Sequence, residues 1–201
     1  MASTINEAIA ILHSGYPIVY PTSTLPGLGC LPNSEALDKL FEIKCRDFDK
    51  PVSLGVANLS QVENLVEIPQ IAEDILDAFP LGSLTLILSA KQRIDPRLGG
   101  ERIAIRVFAH PIAIKISEHV GPLSATSANP SEEEPNSDIL RATASLGLPE
   151  SHAVLGNCPG GDPSTIISID QNENGEWSGI VMREGVIPAD DVVTWLTMRP
   201  A

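Results

Sequence analysis

The sequence predicts an α/β protein built on a twisted, open, mixed β-sheet flanked by helices. Short apolar runs typical of strands alternate along the chain with segments that repeat apolar residues at helical spacing. The chain has 201 residues, of which 43% are hydrophobic and 19% charged, and this composition supports one sizeable core. No repeat, linker or shift of composition divides it. We therefore expect a single domain over residues 1–201.

Seven helices are predicted from capping residues, prolines and apolar spacing. Thr4 and Glu7 form a capping box at the start of the first helix, and Gly15 suits the position just beyond its end. A serine cap or a proline in the first turn marks the start of most others. The predicted helices are Ile5–Ser14, one capped by Ser34 that ends at Ile43, a short one opened by Ser60 and Glu63, one from Pro69 that ends before Pro80, His110–Val120, Ile139–Leu146 capped by Ser137, and one after Pro188.

Seven strands are predicted from short runs of apolar and β-branched residues. They are 17–20, 51–57, 83–90, 102–108, 122–129, 164–169 and 179–185. The segment TSTLPGLG is interpreted as the exit loop of the first strand, because Pro21 cannot continue a ladder and Gly27 and Gly29 favour a turn. Residues 130–138 are predicted to form a solvated loop, and residues 172–176 a turn.

The charge balance bears on the class of function. A formal net charge of −13 argues against a general nucleic-acid binder, which usually presents a basic surface. It also makes a local group of Lys and Arg informative, since cations held in an acidic chain favour a specific anion. No apolar run reaches the roughly 20 residues that span a bilayer, and the N-terminus lacks the basic start of a signal peptide. We expect a soluble, cytoplasmic protein with no membrane partner.

Common catalytic motifs are missing from the sequence. It contains no GxxxxGK[ST] phosphate loop, no GxGxxG, no HExxH and no GxSxG. Three isolated cysteines and four histidines without ligand spacing predict no metal held by the protein itself. Catalysis would then depend on positioning and charge stabilisation, as in adenylylation, rather than on a nucleophile with its base.

Lys44, Arg46 and Lys50 form a group of three cations in KCRDFDK, at the end of the second predicted helix. Arg binds phosphate or carboxylate through two parallel hydrogen bonds and Lys adds a point charge, so the group could bind an anion. The alternative is structural, because cations near a helix C-terminus also stabilise the helix dipole.

Hydroxyl and amide donors follow a predicted strand in LSATSANPS. Ser127 and Asn129 alternate with Ala128, so both can face one side if the strand geometry persists. Two interpretations remain open. The donors could face a ligand at a strand end, where open α/β sheets bind ligands, or they could close a turn by local hydrogen bonds.

Arginines near other strand ends add to the predicted anion cleft. In RIAIR, Arg102 and Arg106 share one strand face, and Ile103 and Ile105 face the core. Arg106 could reach a carboxylate on a ligand, and a surface ion pair is the alternative for this face. Ser164 and Arg183 again place a hydroxyl and a guanidinium near strand ends.

Seven motifs stand in the order found in one known family. They are YPTSTLPGLGC, KCRDFDKP, GSLTLIL, IAIRVFAHP, SATSANPS, PSTIISI and VMREGVI, within about Ile18 to Ile187. The chain therefore resembles the YrdC/Sua5/TsaC family in its short stand-alone form. The resemblance implies a YrdC/RibB-like sheet around a concave, positively charged cavity.

The same resemblance implies an activity. The family is that of L-threonylcarbamoyladenylate synthase, a nucleotidyltransferase that combines L-threonine, bicarbonate and ATP, with Mg²⁺, into threonylcarbamoyl-AMP and pyrophosphate. The product serves the t6A modification of tRNA position 37, so tRNA or t6A-transferase proteins are the implied partners. A YciO-like paralogue with another small molecule, or an RNA-binding module that uses the same cavity, are the alternatives.

The resemblance also assigns roles to individual residues. Lys44 and Arg46 match the family's K-x-R and are the implied catalytic residues. The residues implied for threonine are Thr22, Thr24, Arg106 and Ser164, and those implied for the nucleotide are Lys44, Arg46, Lys50, Ser127, Asn129 and Arg183. Two features depart from the family. Pro26 replaces a usual aromatic residue, and Glu132–Glu134 stand where a loop over ATP would lie, so they would repel a triphosphate unless they face solvent or Mg²⁺.

Overall fold

A computed structural model describes residues 1–172 and 174–198 of the chain, and eight strands in it form one sheet. The strands are β1 (Ile18–Tyr20), β2 (Gly27–Gly29), β3 (Ser53–Val56), β4 (Leu84–Ser89), β5 (Arg102–Val107), β6 (Leu123–Ser127), β7 (Thr165–Gln171) and β8 (Trp177–Arg183). Their order across the sheet is β1-β2-β6-β3-β5-β4-β7-β8. Two neighbouring pairs, β3 with β5 and β4 with β7, are parallel, and the other neighbours are antiparallel. The predicted mixed, open sheet is confirmed.

Six α-helices flank the sheet, close to their predicted positions. They are α1 (Ile5–His13), α2 (Ser34–Lys44), α3 (Gln70–Ala78), α4 (Pro111–Val120), α5 (Ile139–Ser145) and α6 (Ala189–Met198). Short 3₁₀ turns occur at Leu59–Val62, Pro96–Leu98 and Glu150–His152. In the described part of the chain, no helix is both long enough and apolar enough to cross a membrane.

Three predicted helix caps are wrong by one or two residues. The observed caps are Asn33 for α2, Asn58 for the first 3₁₀ turn and Asp138 for α5, in place of Ser34, Ser60 and Ser137. Each observed side-chain oxygen accepts a hydrogen bond from a backbone N–H in the following turn, at 2.8 to 3.1 Å. Asn and Asp cap as well as Ser does, so the sequence pattern alone left neighbouring positions equivalent.

The end of the segment predicted as an exit loop is instead a strand. Gly27–Gly29 form β2, which pairs antiparallel with β1 through Tyr20↔Gly27 and with β6. A Cβ added to Gly27 would lie 2.9 Å from Cζ of Tyr20, and one added to Gly29 would lie 2.4 Å from the carbonyl oxygen of Ser124. These glycines therefore permit close approach within the sheet, whereas a turn was predicted.

The core lies between the sheet and the helices. The main apolar cluster packs α2 and α3 against the central strands, and a smaller one packs α1 and α4 against β1. On β5 the predicted alternation is confirmed, because Ile103 and Ile105 are buried in the core while Arg102 and Arg106 face the other side. The turn predicted at 172–176 includes Glu173, which lies outside the described residues.

Candidate active site

A cleft of about 260 Å³ opens on the face of the sheet that carries Arg106. Its polar lining consists of Thr22, Thr24, Arg46, Ser53, Thr85, Arg106, Thr126, Ser127, Ser164 and Arg183. No Asp, Glu, His or Cys of the described residues lines it. Most neighbouring strands are antiparallel, so residues from both the starts and the ends of strands line the cleft. The prediction had placed the ligand-binding donors at the carboxyl ends of strands.

Arg106 on β5 is held by the segment that follows β1. Its Nη2 donates to Thr24 Oγ1 at 3.1 Å and to the Gly82 carbonyl at 3.0 Å. Thr22 Oγ1 in turn accepts from the Thr24 N–H at 3.1 Å and donates to the Leu25 carbonyl at 2.6 Å. Burial lowers the pKa of the Arg106 guanidinium, which nevertheless stays charged. The structure thus brings the predicted Thr22, Thr24 and Arg106 together.

Ser164 and Arg183 both lie beside this group, although the resemblance implied threonine for Ser164 and the nucleotide for Arg183. The hydroxyl oxygens of Ser164 and Thr85 are 2.7 Å apart, and Arg183 Nη2 donates to the Ser164 carbonyl at 2.8 Å. After burial, the charge of Arg183 also contributes to lowering the Arg106 pKa. We call Thr22, Thr24, Thr85, Arg106, Ser164 and Arg183 the Arg106 group.

Lys44 lies under the cleft instead of lining it. Its side chain is 1% exposed, and its Nζ donates to the carbonyls of Ser127 and Asn129, each at 2.5 Å. Burial, followed by the charge of Arg46, lowers the Lys44 pKa to about 8. The ammonium therefore connects the end of α2 to the end of β6 and holds the backbone from Ser127 to Asn129 in place.

Arg46 lines the cleft and closes the loop after α2. Its Nε donates to the Lys50 carbonyl at 2.6 Å and its Nη2 to the Pro51 carbonyl at 3.0 Å. The Lys50 side chain points to two carboxylates, those of Asp47 and Glu132, and does not line the cleft. We call Lys44, Arg46, Lys50, Ser127 and Asn129 the Arg46 group.

Asn129 is buried outside the cleft lining. Its Nδ2 donates to the carbonyls of Pro130 at 2.8 Å and Glu133 at 2.6 Å. Seven of the ten predicted site residues therefore line the cleft, while Lys44, Lys50 and Asn129 stand behind it or at its margin.

Sequence reasoning missed several lining residues. Thr85 lies inside the strand SLTLILSA, where a threonine is an ordinary strand residue. Only the pairing of this strand with β5, which carries Arg106, could have suggested it. Tyr20 and Phe108 form an aromatic wall with ring centroids 5.7 Å apart at 78°. A Cβ on Gly55 would lie 2.0 Å from Cζ of Phe108, so this wall depends on the glycine.

Arg102 belongs to a structural ion pair, which confirms the alternative stated for that residue. Its guanidinium pairs with the Asp170 carboxylate and its Nη2 donates to Ser168 Oγ at 2.6 Å. Elsewhere in residues 1–172 and 174–198, no three His, Cys, Asp or Glu side chains are grouped to hold a metal ion.

An open mixed sheet with guanidinium and hydroxyl groups around one cleft defines an α/β protein suited to anionic ligands. The family model for Sua5, YciO and YrdC, described as "Telomere recombination", matches residues 10–185. The chain belongs to this Sua5/YciO/YrdC family.

Individual relatives agree with the family assignment. The chain is 32% identical over 177 residues to a putative threonylcarbamoyl-AMP synthase of Methanocaldococcus jannaschii, covering 87% of this chain and 82% of the relative. Pyrococcus abyssi Sua5, solved with L-threonine, superposes with a TM-score of 0.83 at 30% identity. That match covers 94% of this chain but 56% of Sua5. Escherichia coli YciO superposes with a TM-score of 0.76 at 26% identity, covering 90% and 89% of the two chains.

Proposed function

We propose that this chain is an L-threonylcarbamoyladenylate synthase, a nucleotidyltransferase that acts on L-threonine, bicarbonate and ATP. The observation that carries the proposal is one cleft lined by three guanidinium groups and a row of hydroxyls, with no carboxylate among the described lining residues. Such a lining suits substrates that bear a carboxylate and phosphates. The synthase names of relatives and the threonine bound to Sua5 support this choice over a YciO-like or RNA-binding role.

The Arg106 group, with the exception of Arg183, would bind the amino acid. Arg106 is held by neutral acceptors, the Gly82 carbonyl and the Thr24 hydroxyl, so its charge is available to a substrate carboxylate. The hydroxyls of Thr22, Thr24 and Ser164 are buried and offer short-range donors and acceptors for the remaining polar groups of threonine. Thr22 is hydrogen-bonded to Thr24, and Ser164 to Thr85. These bonds fix the hydroxyls before the substrate arrives, which favours orientation of the amine toward bicarbonate.

The Arg46 group would bind the nucleotide. In the proposed reaction, the amine of threonine adds to bicarbonate with loss of water, the N-carboxy oxygen attacks the α-phosphorus of ATP, and pyrophosphate leaves. Arg46, Ser127 and Arg183 line the cleft where they could stabilise charge on the phosphates. Lys44 and Asn129 would act mainly by positioning Ser127 and its loop. Lys50 would contact the phosphates of ATP from the margin of the cleft.

Mg²⁺ enters this proposal as part of the nucleotide substrate. The cleft lining includes no carboxylate among the described residues, so the phosphate oxygens are its available anionic ligands there. We also propose residues 1–201 as one cytoplasmic domain. Its product would pass to a t6A transferase that modifies tRNA.

The test is pyrophosphate release from ATP by the purified protein supplied with Mg²⁺. Release that requires both L-threonine and bicarbonate is expected, with threonylcarbamoyl-AMP identified by mass. A folded protein that releases no pyrophosphate, or releases it regardless of threonine, would contradict the synthase. Binding of tRNA with a steep salt dependence and no adenylate formation would support the RNA-binding alternative.

A further inference from the structure

One ion pair joins the two loops at the margin of the cleft. Lys50 Nζ lies 3.0 Å from Glu132 Oε1, and these residues are 82 positions apart in the sequence. Both side chains are accessible to solvent, at 45% for Lys50 and 80% for Glu132. The contact therefore spans from the loop that follows α2 to the loop that follows β6.

Both loops are tied directly to residues that line the cleft. The Lys50 carbonyl accepts from Arg46 Nε at 2.6 Å, so the Lys50 backbone is fixed to a lining guanidinium. On the other side, Ser127 lines the cleft and leads through Asn129 into the loop that carries Glu132. A phosphate chain that leaves the cleft past Arg46 would meet the Lys50–Glu132 pair.

The contact of Glu132 with Lys50 is weakly held. Glu132 has φ of +70°, a left-handed conformation that disfavours residues with a side chain. Exposed ion pairs contribute little, because water screens them and two long side chains must be ordered. Within the described chain, the buried Asn129 Oδ1 and Ser131 Oγ in the same loop also have no hydrogen-bond partner. The Glu132 side chain can therefore leave Lys50 at small cost.

We propose that Glu132 competes intramolecularly for Lys50 with the phosphates of the nucleotide, and so sets nucleotide affinity. The carboxylate and a phosphate both offer anionic oxygens to one ammonium, and a polyphosphate carries more negative charge than one carboxylate. Nucleotide binding then exchanges the Lys50–Glu132 pair for a Lys50–phosphate pair. This inference rests on the proposed function, in which Lys50 contacts ATP.

Calorimetric titration with ATP tests the exchange in the Glu132→Gln variant. Gln keeps the length and the backbone preference of Glu, so the change isolates the charge. We expect ATP to bind about three- to five-fold more tightly, which is the range that one exposed ion pair supplies. Inorganic tripolyphosphate should show the same gain, since the exchange concerns phosphate and not adenine.

Glu134→Gln is the matched control. Glu134 is an exposed residue of the same loop, and no ion pair joins it to any described residue. This substitution removes one negative charge near the cleft, as Glu132→Gln does, but breaks no ion pair. ATP affinity should therefore change less than two-fold. In a Lys50→Ala background, Glu132→Gln should no longer alter ATP affinity, because the contested cation is gone.

The possible results separate this inference from the proposed function. Equal gains in Glu132→Gln and Glu134→Gln would reveal a general charge effect and overturn the exchange. A gain that persists without the Lys50 ammonium would overturn it as well. A folded wild-type protein that binds neither ATP nor tripolyphosphate would overturn the proposed function and the exchange together.

Discussion

The Arg106 group and the Arg46 group border the same cleft but are built differently. The Arg106 group is attached to strands and to the segment after β1, and its side chains bond to one another and to carbonyls in buried surroundings. The Arg46 group is attached to the end of α2 and to two loops, and its cations mainly bond to backbone carbonyls. One side is therefore preorganised by packing, and the other is adjustable.

The two groups also differ in how their charges are balanced. Among the described residues, no carboxylate forms an ion pair with Arg106 or Arg183, whereas Lys50 is paired with both Asp47 and Glu132. A small anion therefore meets uncompensated charge at the Arg106 group. A larger one must displace internal anions at the margin of the Arg46 group. One cleft can therefore combine a preorganised subsite with a second subsite at which a ligand competes with carboxylates of the protein.

The largest expected effect comes from Arg106→Lys. The variant keeps the positive charge but loses the planar fork that can bind a carboxylate through two hydrogen bonds. We expect kcat/KM for L-threonine to fall by about 100-fold, or about 2.7 kcal/mol, at saturating ATP. Steady-state pyrophosphate release measures it.

Arg102→Lys is the control for this change on the same strand face. Arg102 is bonded to Asp170 and Ser168 outside the cleft lining, so its replacement should leave kcat/KM within about two-fold. Equal losses in the two variants would mean that the strand, rather than the Arg106 guanidinium, governs amino-acid use.

An intermediate effect is expected from Gly29→Ala, which tests whether the hairpin behind the Arg106 group is rigid. The added Cβ would lie 2.4 Å from the Ser124 carbonyl oxygen, and a paired backbone cannot easily move away. We expect a loss of about 1–3 kcal/mol in the free energy of unfolding, measured by urea denaturation.

Gly27→Ala provides the comparison within the same strand. The atoms nearest to its added Cβ would belong to side chains, those of Tyr20 at 2.9 Å and Thr22 at 3.0 Å, and not to the backbone. Gly27→Ala should therefore cost less stability than Gly29→Ala. The reverse order would show that the β1–β2 hairpin is looser than its contacts indicate.

The smallest expected effect concerns Lys44 in the Arg46 group. Burial lowers its pKa to about 8 in the folded protein, below the ordinary value of 10.5. The unfolded chain then binds the proton more tightly, so the stability contributed by Lys44 rises as pH increases from 8 toward 10.5. Lys44→Met, which removes the donors to two carbonyls, should cost about 1–2 kcal/mol at pH 7.

Urea denaturation of both proteins at several pH values between 7 and 10 measures the predicted trend. The difference in unfolding free energy between wild type and Lys44→Met should grow with pH, since other titrating groups are common to both proteins. A difference that stays constant would show that the Lys44 ammonium titrates normally despite its burial.

The sequence predicted most elements of the fold because their signals are local. Thr4 with Glu7 formed the expected capping box, and alternation in RIAIR correctly separated the core face of β5 from its opposite face. β2 was missed because Gly-Leu-Gly lacks the β-branched residues that indicate a strand. Its strand character comes from its neighbours, because β1 and β6 pair with it on both sides and the Tyr20 ring packs against both glycines.

Residue type and motif position predicted which residues belong to the site, but not where each side chain points. Strand alternation predicted that Arg106 faces away from the core, whereas Thr22, Thr24, Ser164 and Arg183 were assigned roles only by the family resemblance, and Thr85 was missed. The location of Lys44 behind the cleft was not predicted, since a helix-end lysine can extend toward solvent, ligand or carbonyl with equal ease. The contact of Glu132 with Lys50 depends on a left-handed backbone that a glutamate does not signal.

The contrast between an acidic chain and a cleft lined by three arginines has a kinetic consequence. At low ionic strength, where the Debye length is about 30 Å at 0.01 M, an approaching nucleotide meets the field of a body with net charge −13 before it reaches the cleft. Only within the cleft do Arg46, Arg106 and Arg183 dominate. Added salt should thus speed the encounter with a nucleotide while it shortens the lifetime of the complex. The net charge of the whole chain therefore governs association of the nucleotide, and the three arginines govern its dissociation.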